Sequence, residues 1–263
     1  MPRHEARHPS VVVRRCYLAT PRAGELTMIQ DEWNRPTPER LSNAKSQALH
    51  ALKPERAGWR LRRYYNVAGD YAGASFASIG TNNPEAIAAD DLFAVTLLSV
   101  SVPAGAARLL TLPGETKAAV DEALQALPTA ALRDVDDDGL RHMEVFYRHV
   151  KKALAKAGVE NSNPWVTASK LCARKRPDLF PVRDNVVYTL LGLLPKGDYQ
   201  VDWQAFRHLM RDPEVLDAIV AARAAATQGA EGATLVIDQE PLRVLDAALW
   251  SSVTMADPAE ASA

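Results

Sequence analysis

The sequence predicts an all-α fold: a single compact multi-helix domain, with room for one short hairpin near residues 60–80. Apolar residues recur every three to four positions along most of the chain, as a helix with one buried face requires. Prolines at 103, 113, 128, 164, 177, 181, 195, 213 and 241 all fall between the periodic segments, where helices must stop. The few β-branched runs are too scattered to make a sheet, and no internal repeat is detectable.

In chain order, residues 1–27 carry Arg3, Arg7, Arg14, Arg15 and Arg22 against Glu5 and Glu25 without periodicity, so they read as a flexible basic tail. Met28 would then open the helical domain, 28–255, and the small polar end 256–263 should fray. Thr37-Pro38-Glu39 is a helix opening, with Thr as N-cap, Pro where its missing N–H is harmless, and an acid in the first turn. That helix runs to about Leu52. Residues 59–80 hold Trp59, Tyr64, Tyr65, Tyr71 and Phe76 among glycines and read as either a short hairpin or a packed loop. Asp90-Asp91 open an apolar run, Leu92 to Val100, that reads as a buried central helix. Helices are expected at about 104–112, 115–127, 139–158, 164–175, 185–194, 202–211, 213–228 and 240–252.

Composition excludes several classes. With 263 residues, 47% hydrophobic and 24% charged, the chain can bury a core without staples. Its two cysteines, Cys16 and Cys172, are neither a disulfide scaffold nor a zinc set, and Cys172 falls on an apolar helix face as a core residue. No apolar run approaches the ~18 residues that span a bilayer, and the first 27 residues lack the features of a secretory signal, so the expected location is cytoplasmic. His4 and His8 sit in the tail, and the other histidines have no ligand spacing. Asp134, Asp136, Asp138 and Gly139 match half of a calcium loop, but Val145 stands where its last ligand belongs; the run is better read as an acidic helix cap. No Walker loop, Gly-x-Gly-x-x-Gly or Gly-x-Ser-x-Gly occurs, and no metal or cofactor is implied.

Positive charge is gathered in one segment. From Gly139 to Asp184, ten Lys or Arg face four acids, an excess of +6, so the other 217 residues hold −7 of the overall −1. A local basic patch attracts polyanions whatever the total charge. Over 139–158 the stripe Leu140, Met143, Phe146 or Tyr147, Val150 and Leu154 is buried, which turns Arg141, Arg148, Lys151, Lys152 and Lys156 toward solvent. A solvated face with no specific partner is the plain alternative.

Asn163 to Leu194 is the densest stretch. Asn163 and Pro164 start a helix on which Ala168, Leu171 and Cys172 share one face and Thr167, Lys170 and Arg174 the other. Lys175 falls near the apolar side, and Pro177 ends the helix after Arg176. An extended connector, Asp178 to Arg183, then delivers Asp184 as N-cap to a helix with the stripe Val186, Val187, Leu190, Leu191 and Leu194. Trp165 is either a packed indole or a base-stacking platform.

The run from Trp165 through Lys170, Arg174-Lys175-Arg176-Pro177 and Pro181-Val182-x-Asp184 resembles the central signature of an uncharacterised, mainly actinobacterial family of unknown function. The segments Ala89 to Pro103 and Leu242 to Trp250 resemble it too. More distantly, helix, lysine, basic turn and Pro-Val-x-Asp opening a further helix are similar to the core of helix-hairpin-helix DNA glycosylases. That resemblance implies Lys170 as nucleophile and Asp184 as the carboxylate facing a flipped nucleoside; Arg174, one turn away on the same helix, would lower the lysine pKa by repulsion. The hairpin glycines are absent, Asn161-Ser162-Asn163-Pro164 standing instead, and Arg183 is inserted before Asp184.

The expectation is a nucleic-acid-binding protein with a glycosylase-like core. Arg148, Lys151, Lys152, Trp165, Thr167, Arg174, Lys175, Arg176 and Arg183 would contact nucleic acid, and Lys170 and Asp184 would act on the base. If the chain is an enzyme, it is a glycosylase- or lyase-like hydrolase. The alternatives are a non-catalytic module whose basic face binds an acidic protein, and an enzyme on a small anionic substrate.

Overall fold

A computed structural model describes residues 33–155, 159, 162–193, 197–228, 230 and 233–255. The tails expected at 1–27 and 256–263 lie outside these residues, as does Lys156. The described residues of the unit Asn34–Ala263 form eleven α-helices and no strand. These are α1 (Pro38–Ala51), α2 (Pro54–Tyr64), α3 (Ala89–Thr96), α4 (Ala104–Thr111), α5 (Glu115–Gln125), α6 (Asp137–Leu154), α7 (Trp165–Lys175), α8 (Asn185–Leu191), α9 (Tyr199–Arg211), α10 (Pro213–Thr227) and α11 (Pro241–Thr254). None of the helices among the described residues is long and apolar enough to cross a membrane.

Local chemistry sets most boundaries. Side chains of Thr37, Asp136, Asp184, Asp198 and Asp212 accept backbone N–H bonds at the starts of α1, α6, α8, α9 and α10. Gly192, at φ +68°, ends α8 in the left-handed conformation, three residues before the expected end. The acids of 134–139 act as a cap, with Asp136 Oδ1 accepting from Gly139 N at 2.8 Å.

Two expectations are corrected. No hairpin forms over 60–80: the first part of that stretch belongs to α2, and the second holds a 3-10 turn, Ala72–Ser75. Asn66 instead makes one antiparallel bridge with distant Leu235. The run 92–100 is not one buried helix either, because α3 stops at Thr96, Phe93 is exposed, and Ser99 adopts φ +60°.

Gly58 explains why α2 was hidden in the sequence. A glycine mid-helix normally weakens a helix, but here a Cβ would lie 2.8 Å from Ala225 Cβ and 3.0 Å from its carbonyl. The missing side chain lets α2 press against α10. Arg62 then donates to the carbonyls of Ala225 and Ala226, both at 3.0 Å, closing the C-terminal turn of α10.

At the centre stand α7 and α11. Residues 168–175 of α7 are all buried, as are 242–249 of α11. Core aromatics Phe146, Tyr147, Phe180 and Trp203 pack in contact between α6, the connector and α9.

Gly58→Val should push α2 off α10 and cost about 1–3 kcal/mol. A urea titration would show a lower midpoint with an unchanged slope; an unchanged midpoint would mean that the contact can relax freely.

Candidate functional site

The interior of α7 is charged, and that charge organises the surrounding chain. Arg174 and Lys175 converge on the buried Asp91 carboxylate, Nε to Oδ1 at 3.2 Å and Nζ to Oδ2 at 2.8 Å. Asp91 Oδ2 also accepts from Ala88 N at 3.0 Å, holding the first turn of α3. The remaining donors take backbone carbonyls. Arg174 bonds Phe76, Ala77 and Ile79, and Lys175 bonds Asn83 and Ala86. A loop with no regular structure of its own is thereby wound onto two cations.

Phe76, where that loop begins, and the preceding stretch Asp70 to Gly73 form one wall of a cavity of about 490 Å³. The other walls are the end of α2 at Tyr64, the turn 97–100, Val166 and Lys170 of α7, the connector with Asp184 and Val187, and the face Arg243, Asp246 and Trp250 of α11, with Asp238 just before it. Lys170 and Asp184, the two residues singled out for chemistry in the sequence, thus line the same space.

Lys170 Nζ donates to Leu98 O at 2.7 Å, beside the left-handed Ser99. Burial lowers its pKa, opposed by the Asp184 charge. Arg174 plays no part in this, being turned to Asp91. Asp184 Oδ1 accepts both Val186 N and Val187 N at 3.0 Å, so the cap does not require the second oxygen. On the opposite wall Arg243 donates to Phe180 O at 2.7 Å and pairs with Asp246, whose Oδ2 accepts from Val182 N at 3.0 Å. Arg243 Nε and Nη1 and Asp246 Oδ1 are buried and find no partner among the described residues. Burial, opposed by Arg243, pushes Asp246 up to about 7. Asp238 accepts from Tyr65 Oη at 3.1 Å and is also raised by burial. Trp250 meets Tyr71 and Tyr64 edge-on, each at 5.9 Å between centroids. No cluster of His, Cys, Asp or Glu among the described residues could hold a metal ion.

The expected basic surface over 139–183 divides: on α7 and the connector Lys170, Arg174, Lys175 and Arg183 are internal, while Arg141, Arg148 and Lys152 of α6 face solvent. Arg174, Lys175 and Arg183 are 2–3% exposed, against the solvent face that helical periodicity gave Arg174. Arg183 pairs with buried Asp202 and lies over the rings of Tyr147 and Trp165. Half-buried Arg176 forks onto Asp178 and bonds Pro128 O. Trp165 packs between the Arg183 guanidinium and Gly197 as a structural indole. Thr167 is half-buried and does not line the cavity. Arg148, paired with Glu144, and Lys152 are exposed on α6, with Lys151 half-buried, and α6 gives no residue to the cavity wall. The sequence reading missed Tyr64, Tyr71, Asp238, Arg243, Asp246 and Trp250. Three of these are the charged and indole positions of Leu242 to Trp250, a signal present but assigned no role.

Fold and cavity define an all-α protein with an internal pocket of mixed aromatic and ionisable walls. The chain belongs to DUF6308, a family of unknown function that matches residues 57–253, a span holding every residue of the cavity wall. No curated protein and no solved structure matches it.

Asp91→Ala strands two buried cations and should cost about 3–5 kcal/mol, read by denaturant titration. A loss below ~1 kcal/mol would show that the loop holds without its carboxylate. A second expectation concerns pH. Because Asp246 titrates near 7 in the folded protein against an ordinary 3.8, the native state binds the extra proton between these values. Stability therefore falls as pH rises across that window, with Asp202, pushed up to about 6, adding to the fall. Asp246→Asn should flatten this slope, measured as unfolding free energy against pH; an unchanged slope would remove Asp246 from the account.

Proposed function

We propose that the cavity holds a nucleobase-bearing ligand and that the protein is a nucleic-acid-binding, glycosylase-like enzyme acting on an extruded base. The observation that carries this reading is the presence of the Lys170 ammonium and the Asp184 carboxylate in one wall system. The volume of about 490 Å³ is on the scale of small-molecule sites. Burial raises the share of free amine on Lys170 at neutral pH, which a nucleophilic lysine needs.

The chemistry follows from those two groups. The amine nitrogen bonds to the sugar C1′ while the C1′–N bond to the base breaks. The proton shed by the amine passes to the departing base, and the Asp184 carboxylate stabilises the positive charge that develops on the sugar. Opening of the sugar ring then leaves an imine on Lys170.

A second reading is favoured by one specific observation. With Arg174, Lys175 and Arg183 inside the protein, three of the expected phosphate contacts are lost and those left on α6 give nothing to the cavity wall; a free nucleoside-like molecule would need none of them. The same loss weakens the reading as a module for an acidic protein partner.

Borohydride trapping on an oligonucleotide with an abasic site tests the first reading. A covalent adduct is expected from the wild type and none from Lys170→Ala; an equal adduct in that variant, or none in either, overturns it. Asp184→Asn retains a capping oxygen, so it should keep the melting temperature while lowering base release by about 10²-fold or more. Affinity for duplex DNA should also fall steeply with salt, and a shallow dependence would leave the free nucleoside as ligand.

A further inference from the structure

The charge inside the cavity has the opposite sign to the basic segment read from the sequence. Its walls carry the carboxylates of Asp184, Asp238 and Asp246 against the cations of Lys170 and Arg243. Arg243 is already paired with Asp246 and bonded to Phe180 O. At the mouth, Asp70 and Arg63 cancel one another across 3.6 Å. Asp238 is met by the neutral Tyr65 hydroxyl, and Asp184 by two backbone amides. Among the described wall residues Lys170 is the cation outside a salt bridge, spending a donor on Leu98 O, and burial disfavours its charged form as it does those of Asp238 and Asp246. A cavity of about 490 Å³ thus stands among carboxylates that the protein neutralises only in part.

The aromatic wall adds a second, independent preference. Trp250 and Tyr71 stand at 84° to one another, the corner of a box, and Tyr64 continues it at 62° to Trp250. Ring faces carry partial negative charge and attract cations, tryptophan most of all. One face of Tyr71 already does so, with the Arg63 guanidinium 5.1 Å from its centroid. The 95%-buried Asp246 completes the polar side with an unpartnered Oδ1.

We propose that the ligand of this cavity is a flat organic cation, an aromatic heterocycle with a fixed positive charge, seated against Trp250 and Tyr71 with Asp238 and Asp184 as counter-charges. This rests on the preceding reading only in taking the cavity as the ligand site. The two fit chemically. When a positively charged heterocycle leaves C1′, the electron pair of the C1′–N bond moves onto the ring nitrogen and cancels its charge. The base departs neutral and takes no proton; the amine's proton stays on the nitrogen now bonded to C1′ and passes to the ring oxygen as the sugar opens, leaving the imine protonated.

Isothermal titration of the full chain with three probes of one shape tests the charge preference: 1-methylnicotinamide (cationic), nicotinamide (neutral) and nicotinate (anionic). The expected order of affinity is cation, neutral, anion, with about tenfold between the first two. Asp238→Asn should lower affinity for the cation and leave that for nicotinamide unchanged. Trp250→Phe, which keeps an aromatic face and the fold, should preserve the order, and Trp250→Leu should abolish it. Equal affinities, a preference for nicotinate, or no heat with the cation would overturn the proposal. Cation binding without borohydride trapping removes the glycosylase reading and leaves this one standing; trapping with no preference for the cation does the reverse.

Discussion

Asp91 is the residue on which the arrangement turns. Its carboxylate neutralises two cations from consecutive positions of α7 and holds the first turn of α3 through Ala88 N. An isolated guanidinium or ammonium could not stay in this interior, because burying an unpaired charge costs several kcal/mol. With Asp91 present, the spare donors of Arg174 and Lys175 become fixed points for five carbonyls of the chain between Phe76 and Ala86. The order of that loop is borrowed from ions, not from a ladder of its own. The knot meets the cavity wall at Phe76, whose carbonyl Arg174 holds.

Helix positions were legible where caps and periodicity agreed. Thr37, Asp136 and Asp184 mark their helices in the sequence and cap them in the fold. Helix α2 was not legible, because its glycine and its run of charged and aromatic residues obscure the period. The reason for Gly58 lies on another helix, at Ala225. The turn after Thr96 was hidden in an apolar run, since nothing local in that run forbids further helix.

The site was legible in part, and the division has a physical cause. Lys170 and Asp184 stood out through the distant resemblance to glycosylases, and both line the cavity. The cationic face around Lys170 was misjudged because periodicity gives direction around a helix axis but not what lies there. α7 is central, so its polar side meets Asp91 and backbone carbonyls where a peripheral helix would meet water. The far wall comes from α11 and from Asp238, remote in sequence and sharing no motif with α7. Only the fold brings an arginine, two aspartates and an indole to face the lysine.

Lys170 does two jobs with one ammonium. It faces the cavity, and it fastens Leu98, whose neighbour Ser99 holds a backbone shape that side chains other than glycine rarely adopt. An ammonium carries three protons and Leu98 takes one, so this nitrogen can meet a guest without letting go of the rim that it pins.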